Sequence, residues 1–370
     1  MKVLYFSYRY NPENPSLGSS LDYEFYKQIK SIFHNVTVFQ PKVNLDRPFS
    51  NFPKRIYKKI TGKKLNKFGL INAFQISKKL KKLTKEESFD LVFTIYPNPL
   101  CFYDGTVPLI ITLDTTFIGQ QSQWKTYSYI GMLISIWQER RVFKRAKSII
   151  TFSNWCKNDL INNYYIESKK IKIFPIPAAI PKNKKKSIQK YLNTSQIKLL
   201  IVAREIHRKG VDIAINIINY LNENGYDANL TICGLKGINK YNIKYTGPYD
   251  KSKISELDQY ISHYIDAHLL IHPARFEAAG ITPSEAAAYG TPTITNSIGG
   301  LETTVKNKVS GYVLKYDSNY IDYAKKIIYL YKNPNVYRRL CQTTFERYKE
   351  ELNWDSQKEN IKRIFIDAIR

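Results

Sequence analysis

An α/β protein built from two doubly wound halves is what this chain predicts, on three observations. Short apolar runs of strand length alternate with helical patterns along most of the sequence. Several of these runs are short and mostly apolar, Leu109–Leu113 at four of its five positions, as parallel strands covered on both faces are. Midway, residues 177–186 interrupt the alternation with Pro177, Pro181 and a lysine cluster, the composition of a linker. A length of 370 residues suits two domains of ordinary size.

In chain order, the first half reads as strands at Lys2–Tyr8, Asn35–Phe39, Asp90–Tyr96, Leu109–Leu113, Ser148–Phe152 and Ile171–Pro175. Helical patterns at Ser20–Phe33 and over a long Trp124–Ala146 lie among them. The second half reads as Lys198–Val202, helix Val211–Glu223, then strands Asn229–Cys233 and Ile243–Gly247. Helix Ser252–Tyr264, strand Ala267–His272, helix Pro283–Tyr289 and strands Thr291–Asn296 and Gly311–Tyr316 follow. Two further helices lead to Trp354 and a last amphipathic helix. The expected domains are 1–180 and 197–353, joined by a linker over 181–196, with ligands at the carboxyl ends of the strands.

The densest chemistry lies in Phe276-Glu277-Ala278-Ala279-Gly280-Ile281-Thr282-Pro283-Ser284-Glu285-Ala286. Two glutamates flank a glycine turn and a helix start. Thr282 suits an N-cap, Pro283 the first helical position, and Glu285 lies three residues after Thr282. Unpaired N–H groups at such a helix start form a seat for an anion such as a diphosphate. An ordinary capping box with a solvated Glu277 is the other reading.

This segment runs on into Ala287-Ala288-Tyr289-Gly290-Thr291-Pro292, a Gly299-Gly300 turn and Gly311-Tyr312-Val313-Leu314. In that order of motifs the chain resembles the retaining glycosyltransferases of the GT-B fold, family 4 in particular. The resemblance implies two Rossmann-like domains facing each other across a cleft, an acceptor domain first and a nucleotide-sugar domain second. It implies that residues 354–370 cross back to the first domain. Leu199–Gly210 is similar to the family's Gly-Arg…Lys-Gly signature, with Ala203 in place of the glycine, so Arg204 and Lys209 are expected to clamp the donor diphosphate. By the same resemblance Glu277 contacts donor sugar hydroxyls, and Glu285 binds the ribose. The backbone of Ala279, Gly280, Ile281 and Thr282 meets sugar and phosphate. Gly18 stands alone where the family often has a glycine pair near the donor.

Asp114, at the end of Leu109–Leu113, stands where many family members place a histidine. It is expected at the catalytic site, orienting acceptor or sugar, since a carboxylate ending a buried strand needs a partner or a task; helix capping is the alternative. Ser153, ending the strand after Glu139-Arg140-Arg141, approaches the acceptor or caps a helix. Retention implies front-face transfer assisted by the leaving phosphate. With no Asp-x-Asp pair and five scattered histidines, neither a metal nor another cofactor is expected.

Lysine and arginine number 57 against 31 acidic residues, a formal charge of +26, which draws polyanions. The segment 54–82 interleaves lysines with apolar and aromatic residues, as a helix lying on anionic lipid does; a solvated helix face is the alternative. The expected partners are a nucleotide diphosphate sugar, a glycolipid or saccharide acceptor and an anionic membrane surface. Nucleic acid is not expected, since no recognition motif accompanies the charge. A basic nucleic-acid- or membrane-binding protein, or a scaffold subunit that binds sugar nucleotides without transfer, are the competing classes. Cys101, Cys156, Cys233 and Cys341 are scattered without a Cys-x-x-Cys pair, which fits a reducing compartment. Met1–Ser7 reads as a strand and not as a signal peptide. The apolar run Ile130–Trp137 stops at Gln138-Glu139-Arg140-Arg141, short of a membrane span. The expected location is cytoplasmic, on or near the inner membrane face.

Overall fold

The computed structural model describes residues 1–15, 20–41, 56–57, 59–63, 68–125, 127–181, 190–192 and 196–370. The chain divides into two compact units, Met1–Phe174 with Lys358–Arg370, and Pro175–Gln357.

Unit 1 holds β1 (Lys2–Phe6), α1 (Leu21–Phe33), β2 (Asn35–Phe39), α2 (Leu70–Glu86), β3 (Leu91–Thr94) and β4 (Leu109–Leu113). It continues with α3 (Phe117–Gln123), α4 (Tyr129–Arg145), β5 (Ser148–Thr151), α5 (Asn154–Tyr164) and β6 (Ile171–Ile173). Its six strands are all parallel, in the order β2-β1-β3-β4-β5-β6. β3 and β4 are buried at every residue, in keeping with sequences apolar at all but one threonine each, as central parallel strands are.

Unit 2 holds β7 (Ile197–Val202), α6 (Ile206–Lys209), α7 (Val211–Glu223), β8 (Ala228–Cys233), β9 (Ile243–Thr246), α8 (Ile254–Asp266) and β10 (Leu269–His272). Then follow α9 (Ile281–Ala287), β11 (Thr293–Asn296), α10 (Leu301–Thr304), β12 (Gly311–Leu314), α11 (Tyr320–Lys332) and α12 (Pro334–Glu350). Its sheet is also all parallel, in the order β12-β11-β10-β7-β8-β9. Helix α13 (Trp354–Ile369) begins in unit 2 and ends in unit 1.

The division falls after Phe174, ahead of the proline pair and six residues before position 180. The reason is local bonding. Ile176 carbonyl accepts from Ser284 Oγ at 2.6 Å, Ala178 N donates to Leu352 carbonyl at 2.9 Å, and Ala178 carbonyl accepts from Trp354 Nε1 at 3.1 Å. Ala178 and Ile180 join the core of Leu200, Tyr264 and Leu270. Most of the expected linker, at 182–189 and 193–195, lies outside the described residues, as do Gly18 and Lys54, Arg55, Lys58 and 64–67 of the basic segment.

Two helix readings are corrected. The long helix expected over Trp124–Ala146 starts only at Tyr129, where the Ser128 hydroxyl caps it by accepting from Gly131 N at 3.1 Å. The helix expected to start at Pro283 with Thr282 as cap starts at Ile281, and its cap is Gly280. Gly280 has φ +80°, which an L side chain resists, and a Cβ there would lie 2.5 Å from Leu301 Cδ2. Thr282 and Glu285 therefore form no capping box.

Candidate functional site

In unit 2, β7 and β10 are neighbours that lead to opposite halves of the sheet, the switch point at which doubly wound sheets bind ligands. The loops leaving these two strands carry the charged residues. After β7 the chain makes one turn of helix, α6, and then Gly210 at φ +69°. A Cβ on Gly210 would come within 2.0 Å of Pro273 carbonyl, so only glycine lets this loop close on the loop after β10. Arg275 fastens the two: its guanidinium binds both Asp212 carboxylate oxygens, at 2.8 and 2.6 Å, and His207 carbonyl at 2.7 Å.

The closure brings three basic side chains to one oxygen of Glu277. Lys209 Nζ donates to Oε2, Arg208 Nη1 lies 3.5 Å from it, and His272 Nε2 lies 3.4 Å from it. Burial opposes the charge on Glu277, but Lys209 foremost and His272 next outweigh it and hold the carboxyl well below its usual range. Burial, with Lys209 adding to it, pushes His272 down toward the neutral ring. Oε1 of Glu277 takes no hydrogen bond from any described residue. Glu277 thus has one pinned oxygen and one available to a ligand donor.

Arg204, also expected here, is exposed and pairs with no described residue. Glu285 differs most from its expected setting. It is fully buried, with Oε1 bound by Lys251 Nζ at 2.7 Å and Oε2 by the hydroxyls of Tyr260 and Tyr264 at 2.6 and 2.7 Å. Ala279 carbonyl accepts from Thr304 Oγ1, and Thr282 Oγ1 lies 3.3 Å from His272 Nδ1. Arg208 and His272 escaped the sequence reading. The first looks like any loop cation in a basic chain, and the second like a strand residue.

Unit 1 has its own cavity, about 540 Å³, at the strand ends on either side of its switch point between β1 and β3. Tyr8 and Arg9 reach it from beyond β1, Tyr96 and Asn98 from beyond β3, Asp114 from the end of β4, and Glu139 from α4. Asp114 is exposed and lines this cavity; the cap of α3 is Thr116, which accepts from Gly119 N at 3.0 Å. Deeper in, Asp22 accepts from Tyr5 and Ser7 hydroxyls, each at 2.6 Å, while burial pushes its carboxyl above the ordinary range. Asn98 Nδ2 is buried with no hydrogen-bond partner among the described residues, a donor left over for a ligand. Ser153 is the buried N-cap of α5, accepting from Cys156 N at 3.1 Å. Among the described residues no group of three His, Cys, Asp or Glu side chains is placed to hold a metal ion.

Two family models divide the chain as the two units do. Residues 23–177 match Glycosyltransferase Family 4, and residues 183–347 match Glycosyl transferases group 1. The chain belongs to the family 4, group 1 glycosyltransferases. Its paired parallel sheets are the GT-B fold of these sugar-transferring enzymes. Sucrose-phosphate synthase from Thermosynechococcus elongatus superposes with a TM-score of 0.69 at 14% identity, over 99% of this chain and 98% of that one. Anabaena Alr3699/HepE, solved in complex with UDP-glucose, gives 0.65 at 12% identity over 99% and 100%. In sequence, an uncharacterized 41.2 kDa protein in the cps region of Klebsiella pneumoniae is 22% identical over 254 residues, 64% of this chain and 60% of the relative. The chain spans 34% to 65% of the length of this protein and of the glycogen synthases it also matches. In this glycosyltransferase the Glu277 cluster occupies the group 1 half and the Asp114 cavity the other.

Proposed function

We propose that this glycosyltransferase moves a sugar from a nucleoside diphosphate sugar to a glycolipid, lipid-linked saccharide or surface polysaccharide, with retention of anomeric configuration and without a metal. The observation that carries the reading is Glu277 at the unit 2 switch point, Oε2 pinned by Lys209 and Arg208 and Oε1 left available. Oε1 accepts from a donor-sugar hydroxyl. Lys209 and Arg204, with Arg208, face the diphosphate and offset the charge that develops as the sugar leaves. The backbone of Ala279, Gly280 and Ile281, with Thr282, borders sugar and phosphate. The leaving phosphate assists attack from the same face, as the retaining reading implies. A neighbour that holds UDP-glucose supports a nucleotide-sugar donor.

On the acceptor side, Asp114 accepts from the attacking hydroxyl or orients the sugar, in a cavity walled by tyrosines and with a spare donor at Asn98. The relative in a cps region supports a glycan product. The lysines of segment 54–82 bring the enzyme to an anionic membrane face. For Glu285 to bind ribose, Lys251 or the two tyrosines must first release it. Without that movement it serves as an internal brace.

A thermal-shift panel of UDP, GDP, ADP and CMP with their sugar conjugates, run with EDTA, tests the donor side. One nucleotide diphosphate should stabilise the protein, and Lys209→Met should abolish the shift. Asp114→Asn should keep the shift while losing transfer. No shift with any nucleotide would overturn the reading, and a shift that needs magnesium would overturn its metal-free part.

A further inference from the structure

Helix α4 is built inside out. The side it buries carries Ser135, Gln138 and Glu139 beside Gly131, Val142 and Phe143. Those polar groups have tasks: Glu139 lines the unit 1 cavity, accepts from Phe117 N at 2.8 Å and binds the Tyr164 hydroxyl, and Gln138 Nε2 lies 3.8 Å from Cys101 Sγ. The cost of facing them inward is that Ile130, Leu133 and Trp137 face water, 56%, 51% and 41% exposed. Spaced i, i+3, i+7, they form one stripe, and Tyr129 extends it at 70% exposure.

The stripe joins a second one. Trp137 packs on Phe102 at 5.5 Å between ring centres, and Phe102 on Phe74 at 5.8 Å. Phe74 and Ile71 lie on α2, 55% and 73% exposed, and both helices rest on the turn Asn98–Leu100. Past the apolar end, each helix turns basic on the same face. On α4 this is Arg141, its guanidinium 5.3 Å from the Trp137 ring, with Arg140 and Lys144 exposed beside it. On α2 it is Lys78, with Lys79 and Lys82. The nearby acids Asp104 and Glu86 are engaged by Lys81 at 2.7 Å and Lys82 at 3.5 Å.

A platform of large apolar side chains rimmed by cations fits one kind of partner. A second copy of the chain would set these cations against each other under a net charge of +26 on both sides. An anionic bilayer complements both parts, with acyl chains for the apolar groups and headgroups for the cations. Among the described residues no helix is long and apolar enough to cross a membrane, so the face lies on the bilayer. We infer that the α2–α4 face docks on anionic lipid, with Ile71, Phe74, Ile130, Leu133 and Trp137 entering the interface and Lys78, Arg140, Arg141 and Lys144 on the headgroups. This deepens the membrane-side acceptor reading, and rests on that reading only for what the docking serves.

The test uses the full chain with vesicles of phosphatidylcholine, alone or mixed with phosphatidylglycerol. Wild type should sediment with the mixed vesicles, and brominated lipid should quench a tryptophan signal that Trp137→Phe removes. Ile130→Ser/Leu133→Ser/Trp137→Ser should bind at least about tenfold more weakly. These positions are exposed, so the triple variant should keep its circular dichroism and its soluble-donor thermal shift. Equal vesicle binding by the triple variant, or no quenching at Trp137, would overturn the inference. So would self-association that the triple variant abolishes, with no vesicle binding. Vesicle binding without any nucleotide shift would instead remove the glycosyl-transfer reading and leave the membrane face standing.

Discussion

Glu277 is the residue on which the proposed donor site turns, and its environment makes its behaviour specific. Burial alone would raise its pKa, but Lys209 and His272 at Oε2 lower it far more. A carboxyl held below its unfolded value of about 4.3 stabilises the fold above that pH and loses the contribution as pH falls toward the folded value. At neutral pH it is a fixed anion and no proton shuttle. Glu277→Gln should therefore lower kcat by about 100-fold while the nucleotide thermal shift remains, because Lys209 and Arg208 stay in place. An acid limb in the wild-type rate profile that vanishes in the variant would contradict this, as would near-native turnover. The sequence made Glu277 and Lys209 legible through their motifs. It could not disclose that Arg208 and His272 converge on them, because that depends on Gly210 pressing against Pro273.

Among elements, the strands were the most legible. Lys2–Phe6 and Leu109–Leu113 lie within the apolar runs that predicted them, because a buried parallel strand is mostly apolar on both faces. Asn35–Phe39, an edge strand with no buried residue, and Thr293–Asn296, polar at three of four positions, also lie within their expected spans. Helix starts were less so. At α9 the pattern Thr-Pro-x-Glu matched a capping box, but the left-handed Gly280 and the burial of Glu285 by Lys251, Tyr260 and Tyr264 decide the geometry. α4 starts at Tyr129 and not at Trp124, because the Ser128 hydroxyl caps it there, a turn that the helical pattern does not mark. The start of β10 carries a pH-sensitive tie that no pattern announces. His268 Nδ1 accepts from Lys198 N at 3.0 Å, so the ring must be neutral there to bridge β10 to β7. Burial first, then the charges of Lys190 and Lys198, push its pKa down to about 4. The folded protein thus binds fewer protons than the unfolded chain between about pH 6.5 and that value. This part of the stability is complete above pH about 6.5, declines as the pH falls, and levels off once the folded histidine is protonated. His268→Gln, which keeps an acceptor, should flatten that segment of the curve of urea midpoint against pH. Parallel curves for the two proteins would remove His268 as the cause.

For the molecule as a whole, the chain passes between units twice, after Phe174 and after Gln357, so unit 1 is complete only when the C-terminus returns to it. The returning stretch is no loose tail. Phe365 is fully buried, with its ring 5.3 Å from Phe33 of α1 and 5.4 Å from Phe93 of β3. Ile361 and Ala368 are buried on the same helix face. The cluster of Arg208, Lys209 and Glu277, the proposed donor site, belongs wholly to the other unit. Phe365→Ala should therefore destabilise unit 1 by about 3–5 kcal/mol, the cost of an emptied aromatic site in a packed core. It should leave the nucleotide-stabilised transition of unit 2 in place. Calorimetry with and without the nucleotide separates the two: the variant's lower transition should fall while the ligand-dependent one holds. If both transitions fell together, the two units would unfold as one cooperative body, and the donor site would depend on the C-terminal helix for its stability.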